Sequence, residues 1–510
     1  MELNCNRQTV MINKVIFDGT AEQGIESDLM LADYCPDVVK ILRCCVNPKI
    51  EATTVSGSKI TIDAVAQIKI YYLTEQKTIR QHSLSIPFQK QCDFKEPVTG
   101  SPIAYVHPKL DYINCRAISP RRLELRGAVS MEIKVLCVSN EEAVCEADEL
   151  GVQLKKDIVQ SNQLSGQVNS TFTVQETLEL GYGKPSIATV LDFRTEATVS
   201  DCKPIANKVI TKGDLHLDLL YYCSEGKLQK MEYSIPISQI ADMEGAAENS
   251  ECFVCYEVIN TTLEPKANLD GEIRNLMLEC KVKCTVQSHS KQSYVHISDC
   301  YSTQHECSCV GKKSEAAELI QNVENIYSYK QSINVPETVG EIGDLWCSIE
   351  DVTVTKEEKK ILLGVKLSIC MIAFDTDKVP ELFERTEEFT HEIAVDKNTS
   401  NMMFLPIAFP VSVSHSVLAP DRMEIRCDIM IKGCIYNIEP LNIIKAIEVD
   451  TSKQKEIKNR PALTIYYADK GESIWEIAKH YNTLMDGIIE NNSLQDEILS
   501  DRCMLLIPMV

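Results

Sequence analysis

The sequence predicts a mainly β chain: three tandem β-rich repeat domains followed by a small βααβ domain at the C-terminal end. Three observations carry this. Apolar and polar residues alternate at period two in long runs, the mark of half-buried strands. Those runs recur at a spacing near 150 residues, as in a repeated unit. After residue 462 the pattern changes to short amphipathic helices set between two strands.

The copies begin alike. "PDVVKILRCCVNPKIEATTV", "PSIATVLDFRTEATV" and "GEIGDLWCSIEDVTV" each run from a short apolar turn into a strand. "AVAQIKIYYLTEQ" (64–76) then matches "GDLHLDLLYYCSEG" (213–226) and, more faintly, "GVKLSICMIAFDTD" (364–377). A strand carrying "SIP" follows in the first two, at Ser85-Ile86-Pro87 and Ser234-Ile235-Pro236. Tyr71 aligned with Tyr221 sets the spacing at 150, and Ile86 aligned with Ile235 sets it at 149.

The second halves repeat more sharply. "ISPRRLELRGAVSMEIKV" (118–135) lies 300 positions before "LAPDRMEIRCDIMIKGCI" (418–435), with "DGEIRNLMLECKVKCTV" (270–286) between them. Pro120 and Pro420 stand at the start of these strands, where a missing N–H costs the ladder nothing. The division is a lead-in at 1–24, β-rich domains at 25–160, 161–315 and 316–452, a linker at 453–462 and a last domain at 463–510. Residues 312–327, "KKSEAAELIQNVENIY", are expected to be a helix between two copies, and "LKKDIVQSNQLSG" to fill the corresponding gap.

The repeats carry no Gly-rich phosphate loop, HExxH or GxSxG. The nine histidines fall at unrelated positions in the copies, whereas a shared catalytic site would keep them in register. These features argue against an enzyme. Net charge is -22, with 74 acidic against 52 basic side chains, which argues against nucleic acid or an anionic bilayer as partner. Neither a signal peptide nor a membrane-spanning run is visible, so the chain is expected to stay in the compartment where it is made.

Twenty-two cysteines are scattered along the chain, many at apolar strand positions. Seven of them fall between Cys252 and Cys309, including Cys255, Cys280, Cys284, Cys300 and Cys307. On a strand, Cys252 and Cys255 point to opposite faces, unlike the paired ligands of a zinc turn. Buried free thiols are expected here, with no metal and no cofactor.

In the last domain "LTIYYADKG" reads as a strand and turn. "SIWEIAKHY" opens a helix with Ser473 as N-cap and Glu476 completing a capping box. Ile474, Ile477, Ala478 and Tyr481 share its apolar face. Trp475 lies one position off that face and is expected to be exposed. Thr483 is placed as cap of a second helix, which Asn491 and Asn492 end, and "MLLIP" is the return strand.

This segment resembles the LysM family, in Tyr467, Gly471-Glu472-Ser473-Ile474, Ile477-Ala478, Tyr481, Ile488, Asn492, Leu494 and Leu505-Leu506-Ile507-Pro508. It departs from the family in Arg502, where a Gly is usual. The resemblance implies a shallow groove for N-acetylglucosamine polymers, lined by Gly471, Glu472, Ser473 and Ile474 and by Asn492, Ser493, Leu494 and Gln495. Trp475 is added as an exposed anchor for a sugar or a protein.

The three upstream copies resemble the SPOCS domain of spore-forming bacteria. Three such domains and one LysM domain are the architecture of a family of spore morphogenesis proteins. That resemblance implies a non-enzymatic coat-assembly protein in the mother-cell cytoplasm, at the forespore surface. Its LysM domain would dock on the stage IV sporulation coat-scaffold ATPase. The alternative is a binder of peptidoglycan glycan strands in the cell wall or spore cortex.

Overall fold

The computed structural model describes residues 2–147, 149–335, 339–419, 421–455 and 463–508. Pro420 and most of the expected linker (456–462) lie outside them.

Strands dominate, in three units of six. The first holds β1 (Asn6–Met30), β2 (Lys40–Ser56), β3 (Lys59–Leu73), β4 (Ile79–Asp93), β5 (Ser101–Ser119) and β6 (Arg122–Glu146). The second holds β7 (Val152–Glu179), β8 (Ile187–Ile205), β9 (Lys208–Cys223), β10 (Leu228–Asp242), β11 (Glu251–Ala267) and β12 (Ile273–Ser302). The third holds β13 (His305–Asn334), β14 (Val339–Glu357), β15 (Lys360–Asp375), β16 (Pro380–Ala394), β17 (Met402–Ala419) and β18 (Arg422–Gln454).

Pairing is the same in every unit and antiparallel throughout. The last strand lies between the first and the fifth, and the third between the second and the fourth. Two three-stranded sheets thus face each other, and a single Ile273–Ile187 pair joins them at one edge of the second unit. Alternation builds the core: Ile361, Leu363, Val365, Leu367, Ile369 and Met371 all point inward from β15 and meet Met423, Ile425, Cys427, Ile429 and Ile431 of β18. Each such side chain, fully buried, stabilises by about 1.5–3 kcal/mol.

Strand register matches between the first two units. Ala66 faces Ile86 and Leu215 faces Ile235, a spacing of 149, and the same spacing superposes Tyr72, not Tyr71, on Tyr221. The helix expected at 312–327 is instead part of β13, and "LKKDIVQSNQLSG" is part of β7. Helix formers such as Ala316, Ala317 and Glu318 are overruled by pairing with β18 along nearly the whole of β13. The units therefore start at β1, β7 and β13, ahead of the positions read from the sequence.

The first half of each first strand and the second half of each last strand run on beyond the sandwich as a two-stranded arm. The three arms pack on one another through Val10, Ile12, Ala143 and Ile443, and through Leu136, Leu164, Leu319 and Tyr436. Two glutamines clasp backbone across arms: Val295 N donates to Gln8 Oε1 (3.1 Å), and Gln292 Nε2 donates to the Met11 carbonyl (2.7 Å).

At the other end the units meet around a charged knot. Bulges in β2, β8 and β14 place Arg43, Asp192 and Asp344 at equivalent positions. Lys69 Nζ lies 2.6 Å from Asp192, whose other oxygen accepts from the Tyr71 hydroxyl at 2.8 Å. Arg194 reaches Asp192 at 3.3 Å and Asp344 at 2.7 Å, with its guanidinium 4.7 Å from the centre of the Trp346 ring.

Glu196, between the first two units, is the exception to this pairing. Burial and the nearby Glu257 carboxylate push its pKa up to about 7 against the pull of Lys49. The folded chain then binds the extra proton between about pH 4.5 and 7, so this group's contribution falls as pH rises through that window. Glu196→Gln is expected to flatten that slope and to stabilise the chain above pH 7 by up to about 3 kcal/mol. Urea unfolding at pH 5 and pH 8 checks it, and an identical offset at both values would reject it.

No described helix is long and apolar enough to cross a membrane.

Candidate functional site

The C-terminal module comprises β19 (Leu463–Ala468), α1 (Ile474–Tyr481), α2 (Met485–Asn492) and β20 (Cys503–Pro508), with β19 and β20 paired antiparallel. Ala468, Ile474, Ile477, Ala478, Ile488, Leu505 and Ile507 form its thin core.

Several groove candidates hold the module together. Gly471 turns at φ 89°, where a side chain would be strained, and its N–H donates to the Leu499 carbonyl (2.8 Å). The Glu472 carboxylate accepts from the Tyr466 hydroxyl (3.0 Å). Ser473 occupies the N-cap position but makes no side-chain cap bond, so the expected capping box is not formed. Its backbone bridges to Ile498 instead. Ile474 is core, and its N–H donates to the Glu497 carbonyl (2.8 Å).

Asn492 ends α2 and spends its amide on β20, donating to the Leu506 carbonyl (2.8 Å) and accepting from the Leu506 N–H (2.7 Å). Leu494 is half-buried against the core, whereas Ser493, at φ 52°, and Gln495 are exposed. The run 471–474 meets Glu497–Leu499 rather than 492–495. Thr483 does not cap α2: Leu484 takes that position, and the Thr483 hydroxyl donates to the Pro508 carbonyl. Arg502 pairs with Asp469 at 3.2 Å on the surface.

Trp475 overturns its expectation. It is 3% exposed, its indole Nε1 donates to Asp299 Oδ2 of β12 (2.8 Å), and its ring meets Tyr301 edge-on with centroids 4.9 Å apart. Helical spacing alone placed it off the buried face; a surface from another domain covers it. Lys479 joins in, 2.8 and 2.6 Å from the two Asp299 oxygens, and the Tyr301 hydroxyl donates to the Thr483 carbonyl (2.7 Å). Burial works to raise the Asp299 pKa, but the bonds from Lys479, Trp475 and the Cys300 N–H outweigh it and hold it below the ordinary value. Trp475 thus anchors the module to the second unit.

The free surface lies on the other side. Leu463, Ile465 and Tyr467 of β19, with Met504 of β20, turn outward and are 46, 56, 68 and 52% exposed. Leu506 and Pro508 complete the face, because the register pairs Ile465 with Leu506 and Tyr467 with Met504. The two-stranded sheet is thus apolar on both faces, and its outer face leaves a contiguous patch of large apolar side chains uncovered. The signal was legible in "LTIYYA", where large apolar side chains occupy both phases of the alternation.

A cavity of about 910 Å³ lies where the three units meet, bordered by Tyr105, His107, Phe253 and Phe404 among others. Its charges are largely spent on one another, as in Lys109–Asp351 (2.6 Å) and Lys134–Asp18 (2.6 Å). Burial lowers the His107 pKa. Among the described residues no group of three or more His, Cys, Asp or Glu side chains gathers as a metal site. Against the expected free thiols, Cys300 is paired with Cys309 as a disulfide, Cα–Cα 6.2 Å, with the Cys307 sulfur 3.6 Å from that of Cys300. Cys252 and Cys255 do face opposite ways, one into the second sandwich and one into the central cavity.

Residues 37–118 and 186–266 match the family model described as SipL, SPOCS domain. The two matches take in the same four strands, β2–β5 of the first unit and β8–β11 of the second. No curated protein and no solved structure matches the chain.

Proposed function

We propose that this chain, with SPOCS-domain segments in its first two units, is a non-enzymatic assembly protein of the developing spore. The third unit, with the same strand pairing, is read as a further SPOCS-like domain, and the C-terminal module as a LysM domain. That domain docks on the stage IV sporulation coat-scaffold ATPase at the forespore surface, on the mother-cell side.

The outward apolar face of β19 and β20 is the observation that supports docking on a protein. A glycan groove works through hydrogen-bonding side chains, and here Trp475, Ile474 and Asn492 are committed to internal contacts. Of the groove set, Gly471, Ser493 and Gln495 remain open to a ligand.

The test is capture of the purified ATPase by the full-length chain carrying Ile465→Asp and Tyr467→Asp. Binding is expected to fall at least tenfold, with unchanged circular dichroism, as for the loss of two apolar anchors. Undiminished capture by the folded double variant would reject the face. Gln495→Ala with Ser493→Ala, expected to be neutral, separates it from the groove. Retention of the wild-type chain on peptidoglycan sacculi, abolished by the groove pair, would favour the glycan reading.

A further inference from the structure

Three cysteines gather where the ends of the arms meet, beside the anchor of the C-terminal module. Cys300 is buried near the end of β12 and is disulfide-bonded to Cys309 of β13, with the Cα atoms 6.2 Å apart. β12 pairs with β7 and β13 with β18, so this bond ties the second arm to the third. Cys307 lies two residues before Cys309, on the same face of β13. It is a thiol, and its sulfur stands 3.6 Å from that of Cys300. Cys5 packs in the same cluster but donates its thiol proton to the Leu3 carbonyl at 3.6 Å.

A fixed staple needs two cysteines. Cys307 adds nothing to such a bond, and an aliphatic side chain would fill its place in a cluster that already holds Leu3, Val144, Val152, Ile297 and Val449. What a third sulfur in contact with a disulfide supplies is an attacking group. The place matters as much as the chemistry. Cys300 is flanked by Asp299 and Tyr301, the two residues that hold Trp475, and its own N–H donates to Asp299 Oδ1 at 2.8 Å.

We propose that Cys300 is a thiol–disulfide exchange centre with two alternative partners, Cys309 and Cys307, and that the change of partner releases the C-terminal module. Cys307 gives its proton to water, and its thiolate attacks the Cys300 sulfur. The Cys300–Cys307 bond forms as the Cys300–Cys309 bond breaks, and the Cys309 thiolate takes up a proton. One disulfide replaces another, so no outside oxidant or reductant is consumed. The foot of the tether moves two residues along β13, about 6–7 Å. Closing the sulfur–sulfur gap from 3.6 Å to a bonded distance of about 2 Å draws Cys300 toward Cys307. A shift of that size, about 1.5 Å, passed to the neighbouring Asp299 takes its 2.8 Å bond from the Trp475 indole beyond hydrogen-bond range. The Cys309-linked form is therefore the docked one, and the Cys307-linked form the released one.

The experiment holds the full chain in a glutathione redox buffer, caps free thiols with N-ethylmaleimide and locates cap and cross-link by fragmentation mass spectrometry. Wild type is expected to divide, with the cap on Cys307 in some molecules and on Cys309 in others, and Cys300 linked in both. A cap on Cys307 alone at every buffer ratio, or on Cys300 itself throughout, would overturn the exchange. Cys309→Ser should link Cys300 to Cys307, and Cys307→Ser should keep the Cys300–Cys309 bond, both with wild-type circular dichroism. A free Cys300 in Cys309→Ser, under conditions that link Cys307→Ser, would also overturn it. Trp475 reads the release. Linked Cys309→Ser should show a red shift and stronger acrylamide quenching of one of its two indoles, and linked Cys307→Ser should match wild type. Identical emission from the two linked chains would overturn the release. Dithiothreitol should erase the difference; one that persists after reduction comes from the serine and would overturn it as well.

Discussion

Arg194→Met is expected to destabilise the chain by about 3–5 kcal/mol at neutral pH, the largest effect of any single surface-distant charge in it. The guanidinium bonds Asp192 and Asp344, both completely buried, and lies against Trp346 of the third unit. Methionine fills much of the volume and keeps the ring contact, so the loss isolates the charge. Lys69 still reaches Asp192, and Lys230 lies 3.8 Å from Asp344, which bounds the damage. Burial works to raise the Asp192 pKa, yet Lys69 and Arg194 outweigh it and hold it below the ordinary carboxylate value. A depressed carboxylate contributes stability above its unfolded pKa, near 4, and loses it as pH falls through the folded value. Without Arg194 the Asp192 pKa rises, so the deficit of the variant should be greatest at pH 7 and shrink toward pH 4. Urea midpoints at pH 7.5 and 4.5 provide the measurement. A variant within 1 kcal/mol of wild type at pH 7.5 would show that the knot is dispensable.

Asp299→Ala is expected to release the C-terminal module. The carboxylate accepts the Trp475 indole and two contacts from Lys479, bonds of the charge-assisted kind worth about 1.5–3 kcal/mol each before screening. Asp299 and Lys479 are about one-third exposed, so the ion pair is discounted and the total set near 3 kcal/mol. Trp475 should then move into water, seen as a red shift and greater quenching by acrylamide of one of the two indoles. Asp299→Asn retains an acceptor for the indole and should fall about halfway. Acid mimics the effect, because Asp299 is held below the ordinary carboxylate value and its docking contribution disappears as pH falls below that range. An unchanged emission maximum in Asp299→Ala would mean that the Tyr301 contact alone holds the module.

Alternation made the third and last strands of every unit legible, because β3, β9 and β15 are buried on one face along their whole length. The first strands escaped because they change surroundings midway. In β13, Ala317 and Leu319 face the other arms while Tyr329 and Ile333 face the sandwich, and a bulge between Leu319 and Gln321 breaks the phase. A window spanning both halves shows no single period. Trp475 escaped for a different reason: its partners Asp299 and Tyr301 stand some 175 residues earlier, in a strand that had no apparent reason to meet it. The module's strand–helix–helix–strand order was written locally, in the turn at Gly471 and the stop at Asn492, and needed no distant partner.

The column of arms also closes on itself. The Leu3 N–H donates to the Ile447 carbonyl at 3.1 Å, and Leu3 packs with Val144, Val152, Ile297, Ile447 and Val449 from all three units. Leu3 thus waits for a strand made some 440 residues after it. Until β18 has emerged, the apolar flanks of the first two arms stand uncovered, and each sandwich can fold while the column cannot. Such sequence-distant contacts are slow to form and leave sticky surface open meanwhile. The chain is therefore most vulnerable to self-association during its own synthesis, and a ribosome that stops before β18 releases a product with two finished sandwiches and an unfinished spine.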